Sequence, residues 1–121
     1  MIKNLLAVFF IFALIFNANA KESFIDGMED IPLPPNVMQI KNDNFAFGNE
    51  ETRIIEAYLT SKNLKESVIE NFYLDTLPQL GWEFAGKSKN TLFFTRDQEE
   101  LDVYFEKTKS LIVRVTLTGR P

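Results

Sequence analysis

Apolar positions recur every second residue through most of the C-terminal half of the chain, and every third to fourth residue in one stretch ahead of it. From Leu111 to Thr118, the residues Leu111, Val113, Val115 and Leu117 alternate with Ile112, Arg114 and Thr116. From Leu101 to Lys107, the residues Leu101, Val103 and Phe105 alternate with Asp102, Tyr104 and Glu106. Successive side chains of a strand point to opposite faces, so each segment predicts a strand with one face inside and one outside. Residues 91–95 (TLFFT) and 82–86 read as two more strands, with turns at 87–90, 97–99 and 108–110. Four strands joined by short polar turns predict an antiparallel meander.

Upstream, 52–60 (TRIIEAYLT) places Ile55, Ala57 and Leu59 on one face, and Ile54, Glu56 and Tyr58 on the other. That is a further half-buried strand. Residues 63–77 carry Leu64, Val68, Ile69 and Phe72 at helical spacing, with Lys65, Glu66, Glu70, Asn71 and Asp75 on the opposite side. This predicts a helix, with Asn63 and Glu66 as a capping box. Pro78 ends it and Gly81 turns the chain into the next strand. Residues 37–40 predict a short strand, and the polar stretch 41–51 a loop. Pro32, Pro34 and Pro35 make 21–36 an extended lead-in, lying on the domain and anchored by Ile31 and Leu33. The expected order is β-β-α-β-β-β-β: an α+β two-layer sandwich with a single helix packed on an antiparallel sheet, whose other face is largely solvated.

Residues 1–20 do not belong to that pattern. Lys3 precedes an unbroken apolar run from Leu5 to Phe16, and Ala18-Asn19-Ala20 follows. This is the three-part pattern of a secretory signal peptide, with Ala18 and Ala20 as the small residues of the cleavage site and cleavage after Ala20. The apolar run is too short to span a bilayer as a helix. The expected organisation is a leader (1–20), an acidic proline-rich lead-in (21–36) and an α+β domain (37–121). Cleavage leaves no integral membrane span.

Composition narrows the chemistry. The 121 residues include no Cys and no His. Disulfides, thiolate metal sites, Cys nucleophiles and His-based acid–base or zinc chemistry are excluded. The net charge of −4 becomes more negative when Lys3 leaves with the leader, so nucleic acid is not an expected partner. An export signal without Cys points to a bacterial periplasm rather than to a disulfide-rich eukaryotic secretory route.

Carboxylates are the remaining acid–base groups. They cluster at Asp26, Glu29 and Asp30, at Glu50 and Glu51, and at Glu99, Glu100 and Asp102. All lie in loops or on polar strand faces, where charge keeps a small domain in solution. No catalytic residue is assigned and no enzyme activity is expected. Asn42, Asp43, Asn44, Asn49, Glu50 and Glu51 are oxygen donors without the spacing of an EF-hand, so a polar turn is expected and no metal or cofactor is assigned. Ser61-Lys62 and Ser88-Lys89 sit in turns, and neighbours in sequence point apart. Most aromatic residues, among them Phe72, Tyr73, Trp82, Phe84, Phe93, Phe94 and Phe105, are expected to build the core. Tyr58, Tyr104, Ile112 and Arg114 fall on the outer sheet face instead, a mixture of apolar and charged groups suited to docking a protein partner.

Two segments, MEDIPLPPNV (28–37) and NFYLDTLPQLGWEF (71–84), resemble a group of small uncharacterised exported proteins of alphaproteobacteria. These share an IPLPP-type lead-in, a helix ending in FYxxxLPxLGW, and a β-meander. The resemblance implies a periplasmic location and a helix-on-sheet fold, and brings no activity or functional residues. The expected function is a non-enzymatic periplasmic module that binds an envelope protein. A small-ligand carrier with its site between helix and sheet stands second, and a carboxylate hydrolase third.

Overall fold

The computed structural model describes residues 23–48 and 52–119. In chain order its elements are β1 (Ser23–Ile25), β2 (Met28–Leu33), β3 (Met38–Gly48), β4 (Arg53–Ser61), α1 (Glu66–Thr76), a single 3-10 turn (Pro78–Leu80), β5 (Glu83–Ser88), β6 (Thr91–Arg96), β7 (Glu99–Lys107) and β8 (Leu111–Gly119). The leader with its cleavage residues Ala18 and Ala20, and residues 49–51, lie outside the described residues.

The fold is α+β. Strands β3 to β8 form one antiparallel sheet in the order β3-β4-β8-β7-β6-β5. The predicted meander is present as β5 to β8, and β8 then pairs with β4 along its whole length, from Arg53 opposite Gly119 to Ser61 opposite Leu111. The helix connects β4, near one edge, to β5 at the other edge, so it must cross a face of the sheet. On that face the alternation holds: Ala57, Leu59, Leu92, Phe94, Leu101, Val103, Phe105, Val113, Val115 and Leu117 are all buried.

The lead-in is more structured than the proline pattern predicts. It forms the antiparallel β1–β2 hairpin, turned at Asp26 and Gly27, with Gly27 at φ 92, where a side chain would be strained. Pro32 is compatible with a strand here because β2 pairs on only one side. Ile31 is fully buried and Leu33 half-buried, as expected, and Ile25 and Met28 join them in the same core as the sheet residues. The lead-in is therefore part of the packed domain. Its turn is held to β3: the Asp26 amide donates to Gln39 Oε1 (2.8 Å), and Gln39 Nε2 donates to the Asp26 carbonyl (3.1 Å).

Three other sequence expectations are corrected. The strand predicted at 37–40 continues to Gly48 as β3, with an irregular register between Ile40 and Phe45 that absorbs the polar residues expected as a loop. The helix starts at Glu66, with Lys65 rather than Asn63 in the cap position and no side-chain cap bond. The hydroxyl of Ser61 organises this approach instead, accepting from the Leu64 amide (3.2 Å) and donating to the Asn36 carbonyl (3.1 Å). Finally, the buried line of the helix is Ile69, Tyr73 and Leu77 at i, i+4 spacing, while Val68, placed in the apolar stripe by its spacing, is 48% exposed.

Helix and hairpin lie side by side. The Tyr73 hydroxyl donates to the Pro32 carbonyl at 2.9 Å inside the core. Burial raises the Tyr73 phenol above its ordinary range, so it stays a donor. Phe72 packs edge-on against Tyr73, with centroids 5.2 Å apart. Gly81, at φ 93, reverses the chain after the 3-10 turn. Trp82 then enters the core, its amide bonded to the Leu77 carbonyl (3.0 Å).

Replacing Ile31 with Ala should cost about 2–5 kcal/mol. Tyr73→Phe should cost about 1–2 kcal/mol, because it leaves the buried Pro32 carbonyl without a donor. Both are read from chemical denaturation. An unchanged midpoint in Ile31→Ala would show the hairpin to be a detachable strap.

Candidate functional site

Two of the acidic clusters meet at one cation. Asp30 from β2 and Glu99 from β7 converge on one guanidinium. Arg96 Nη2 bonds both Asp30 Oδ2 and Glu99 Oε1 (3.0 Å), and Nη1 donates to the Leu80 carbonyl (3.3 Å). The guanidinium lies 4.3 Å from the Trp82 ring centroid. This arrangement ties hairpin, helix end and sheet together and neutralises the carboxylates, leaving no free acid–base pair there. Ser61 is committed to the two backbone bonds described above, and Ser88 is exposed at the end of β5. Among the described residues no three acidic side chains gather to hold a metal ion. Glu50, Glu51 and Asn49 lie outside the described residues, and so do the side chains of Asn42, Asp43 and Asn44.

The aromatic residues divide as their strand and helix positions dictate. Tyr73, Trp82, Phe94 and Phe105 are fully buried. Phe72 and Phe93 are half-buried, and Phe84 is 48% exposed beside Phe94. Two clefts open to solvent. One of about 170 Å³ runs between hairpin and helix end, lined by Phe24, Leu33, Pro35, Phe72 and Leu80. The other, of about 540 Å³, lies between the helix start and the β7–β8 turn, bordered by Leu64, Lys109 and the Lys87–Glu70 ion pair (3.0 Å). The second is lined both by the helix (Glu66, Ser67, Glu70) and by the sheet (Lys87, Leu111).

The opposite face of the sheet carries no covering element among the described residues. It is built from the alternate positions of β4, β8, β7 and β6. Strand register places Tyr58 opposite Arg114, and Arg114 opposite Tyr104, in one row. The Arg114 guanidinium lies over the Tyr104 ring at 4.7 Å. The Tyr58 hydroxyl donates to Glu56 Oε2 at 3.2 Å, and burial with the nearby Glu56 raises its phenol above the ordinary value. Ile112 stands in the next row, between Thr60 and Glu106. All four residues singled out from the alternation thus share this face, and three form a continuous row.

Sequence reasoning missed the neighbouring row, Glu56–Thr116–Asp102–Phe93. Asp102 Oδ1 is buried and has no hydrogen-bond partner. Burial pushes the Asp102 carboxyl from its ordinary 3.8 up to about 6; Glu100 adds to the rise and Arg114 opposes it. The alternation already put Asp102 on the outer face. Its crowding comes from neighbours on β8 and β6, which strand pairing alone reveals.

The fold and this face define the class: a helix-and-hairpin layer on one side of an antiparallel sheet, with an acidic other side that no described element covers. No model of a known protein family, no curated protein and no solved structure matches the chain.

Asp102 has a readable effect on stability. Its native carboxyl holds a proton more tightly than the unfolded chain does, so stability falls as pH rises from about 4 to about 6 and levels off above. Asp102→Asn should remove that fall and add about 1 kcal/mol at neutral pH, a modest gain because the carboxyl is only partly buried. Urea midpoints across that range, in both proteins, check it.

Proposed function

We propose that the chain is an exported, non-enzymatic module of the bacterial envelope that docks another envelope protein through the open sheet face. The observation that carries this reading is the Tyr58–Arg114–Tyr104 row, held in register on a face that no described element covers, while the other face of β4, β8 and β7 supplies the core residues. Tyrosine and arginine are enriched where proteins bind one another, and rigid strands present them at little cost in conformational entropy. The leader pattern at 1–20 supports the envelope location. The engagement of Asp30 and Glu99 by Arg96 supports a non-enzymatic role, since both carboxylates are held in an ion-pair cluster with Arg96.

A carrier of a small apolar ligand is the second reading. The groove beside Phe72 and Leu80 favours it, because it exposes Phe24 and Leu80 together. Native mass spectrometry of protein recovered from the envelope would show a retained molecule.

The docking reading is tested by crosslinking capture with the tagged full chain in its own envelope. Wild-type protein should crosslink a reproducible partner through β4, β7 and β8. Arg114→Glu combined with Tyr58→Ala and Tyr104→Ala should abolish capture without lowering the melting temperature. Capture that survives all three changes rules this face out.

A further inference from the structure

The open face is strongly one-signed. On the adjacent strands β4, β8 and β7 it presents Glu56, Glu100, Asp102 and Glu106 against the single cation Arg114. Arg114 is itself occupied over Tyr104 and forms no ion pair with Asp102. Between Glu56 and Asp102 stands the short Thr116, so the row has two acidic shoulders and a low centre. Two strand spacings separate the shoulders, roughly 10 Å at the backbone, which is room for one extended amine or guanidinium between them. On the Asp102 side of that row, Oδ1 is buried and has no hydrogen-bond partner.

We infer that the partner presents a basic segment, and that one of its lysine or arginine side chains enters the row over Thr116 and bonds Asp102 and Glu56. This rests on the reading of the face as a protein-docking surface and specifies the partner's chemistry. Three observations lead to it independently of composition. The charge imbalance is confined to the uncovered side of these strands, whose other side is apolar and packed. The orphaned oxygen lacks the donor that buried carboxylates normally have. Asp102 leaves Oδ1 without a hydrogen bond inside the fold, and a carboxylate kept at a cost to stability points to a functional position. A protein segment fits better than a small polyamine, because Ile54, Ile112, Tyr58 and Tyr104 extend the face with apolar area that an amine alone leaves uncovered. Anionic lipid and nucleic acid are repelled by the same charges.

The probes are a short capped peptide alternating lysine and isoleucine, its glutamate counterpart, and spermidine. The protein is the tagged full chain, followed by amide chemical shifts. The lysine peptide should shift residues of β4, β7 and β8, and the glutamate peptide should not. Asp102→Asn with Glu56→Gln should weaken the lysine peptide by about tenfold or more, the scale of a lost charged hydrogen bond. Binding should also weaken with added salt and as the pH drops below about 6, where Asp102 gains a proton. The charges facing Asp102 are Glu100 on its own strand, Arg114 on β8 and Glu56 beyond it, and the neighbouring positions of β6 carry Phe93 and Thr95.

Shifts spread over the acidic hairpin, an unchanged affinity in the double variant, or spermidine bound as tightly as the peptide would each overturn the inference. Its failure is separable from failure of the docking reading. If the envelope partner is lost on changing Tyr58, Tyr104 and Arg114 but kept in full by Asp102→Asn with Glu56→Gln, only the basic segment is wrong. If neither set of changes affects capture, the docking face itself is wrong.

Discussion

One helix cannot cover six strands. The sheet is roughly 24 Å wide between its edge strands, whereas a helix with its side chains is about 10–12 Å across. A layer of one helix would leave half of the apolar face of β4, β8 and β7 in water. The hairpin β1–β2 supplies the missing width, and Tyr73 joins the two pieces through its bond to the Pro32 carbonyl. Arg96 closes the other end, gathering Asp30 of the hairpin, Leu80 after the helix and Glu99 of the sheet around Trp82. A domain without disulfides must build its stability from such packing, because its core is the only large favourable term available.

The same constraint explains the bare face. Among the described residues, the elements outside the sheet are used on one side. On the other side β4, β8 and β7 show tyrosine, threonine, isoleucine and charge in alternation, a surface that remains in solution without being purely polar. Rigid pairing fixes the spacing of Tyr58, Arg114 and Tyr104, and of Glu56 and Asp102 beside them. Asp102 carries a cost on this face: its carboxylate is crowded, its Oδ1 is unbonded, and its ionisation works against stability. Structure and the proposed function thus divide between the two faces of one sheet.

Much of this was legible in the residues. Period-two alternation in β7 and β8 assigned Val103, Phe105, Val113 and Val115 inward, and Tyr104 and Arg114 outward, because the pleat leaves no other choice once one face is buried. Trp82, Pro78 and Gly81 marked the helix end for equally local reasons. The hairpin was harder to read: its prolines argue against a central strand, and only its single-sided pairing makes Pro32 acceptable in β2. The polar residues after Ile40 resembled a loop because β-irregularities have no period. Asn63 looked like a cap on local grounds, but Ser61 bonds the Leu64 amide instead and is itself fixed by the carbonyl of Asn36, which is distant in sequence. Asp102 was visible as an outward residue, whereas its crowding depends on which strands pair.

Hairpin and helix form one inseparable cover over the sheet. Native-state hydrogen exchange, followed amide by amide with increasing denaturant, tests it most directly. The bonded amides of β1 and β2 should exchange through the same global opening as those of β7 and β8, with the same denaturant dependence. Exchange of the hairpin amides by a separate low-energy opening, with β7 and β8 still protected, would show that the sheet keeps its fold with half of its cover removed, and would contradict the account.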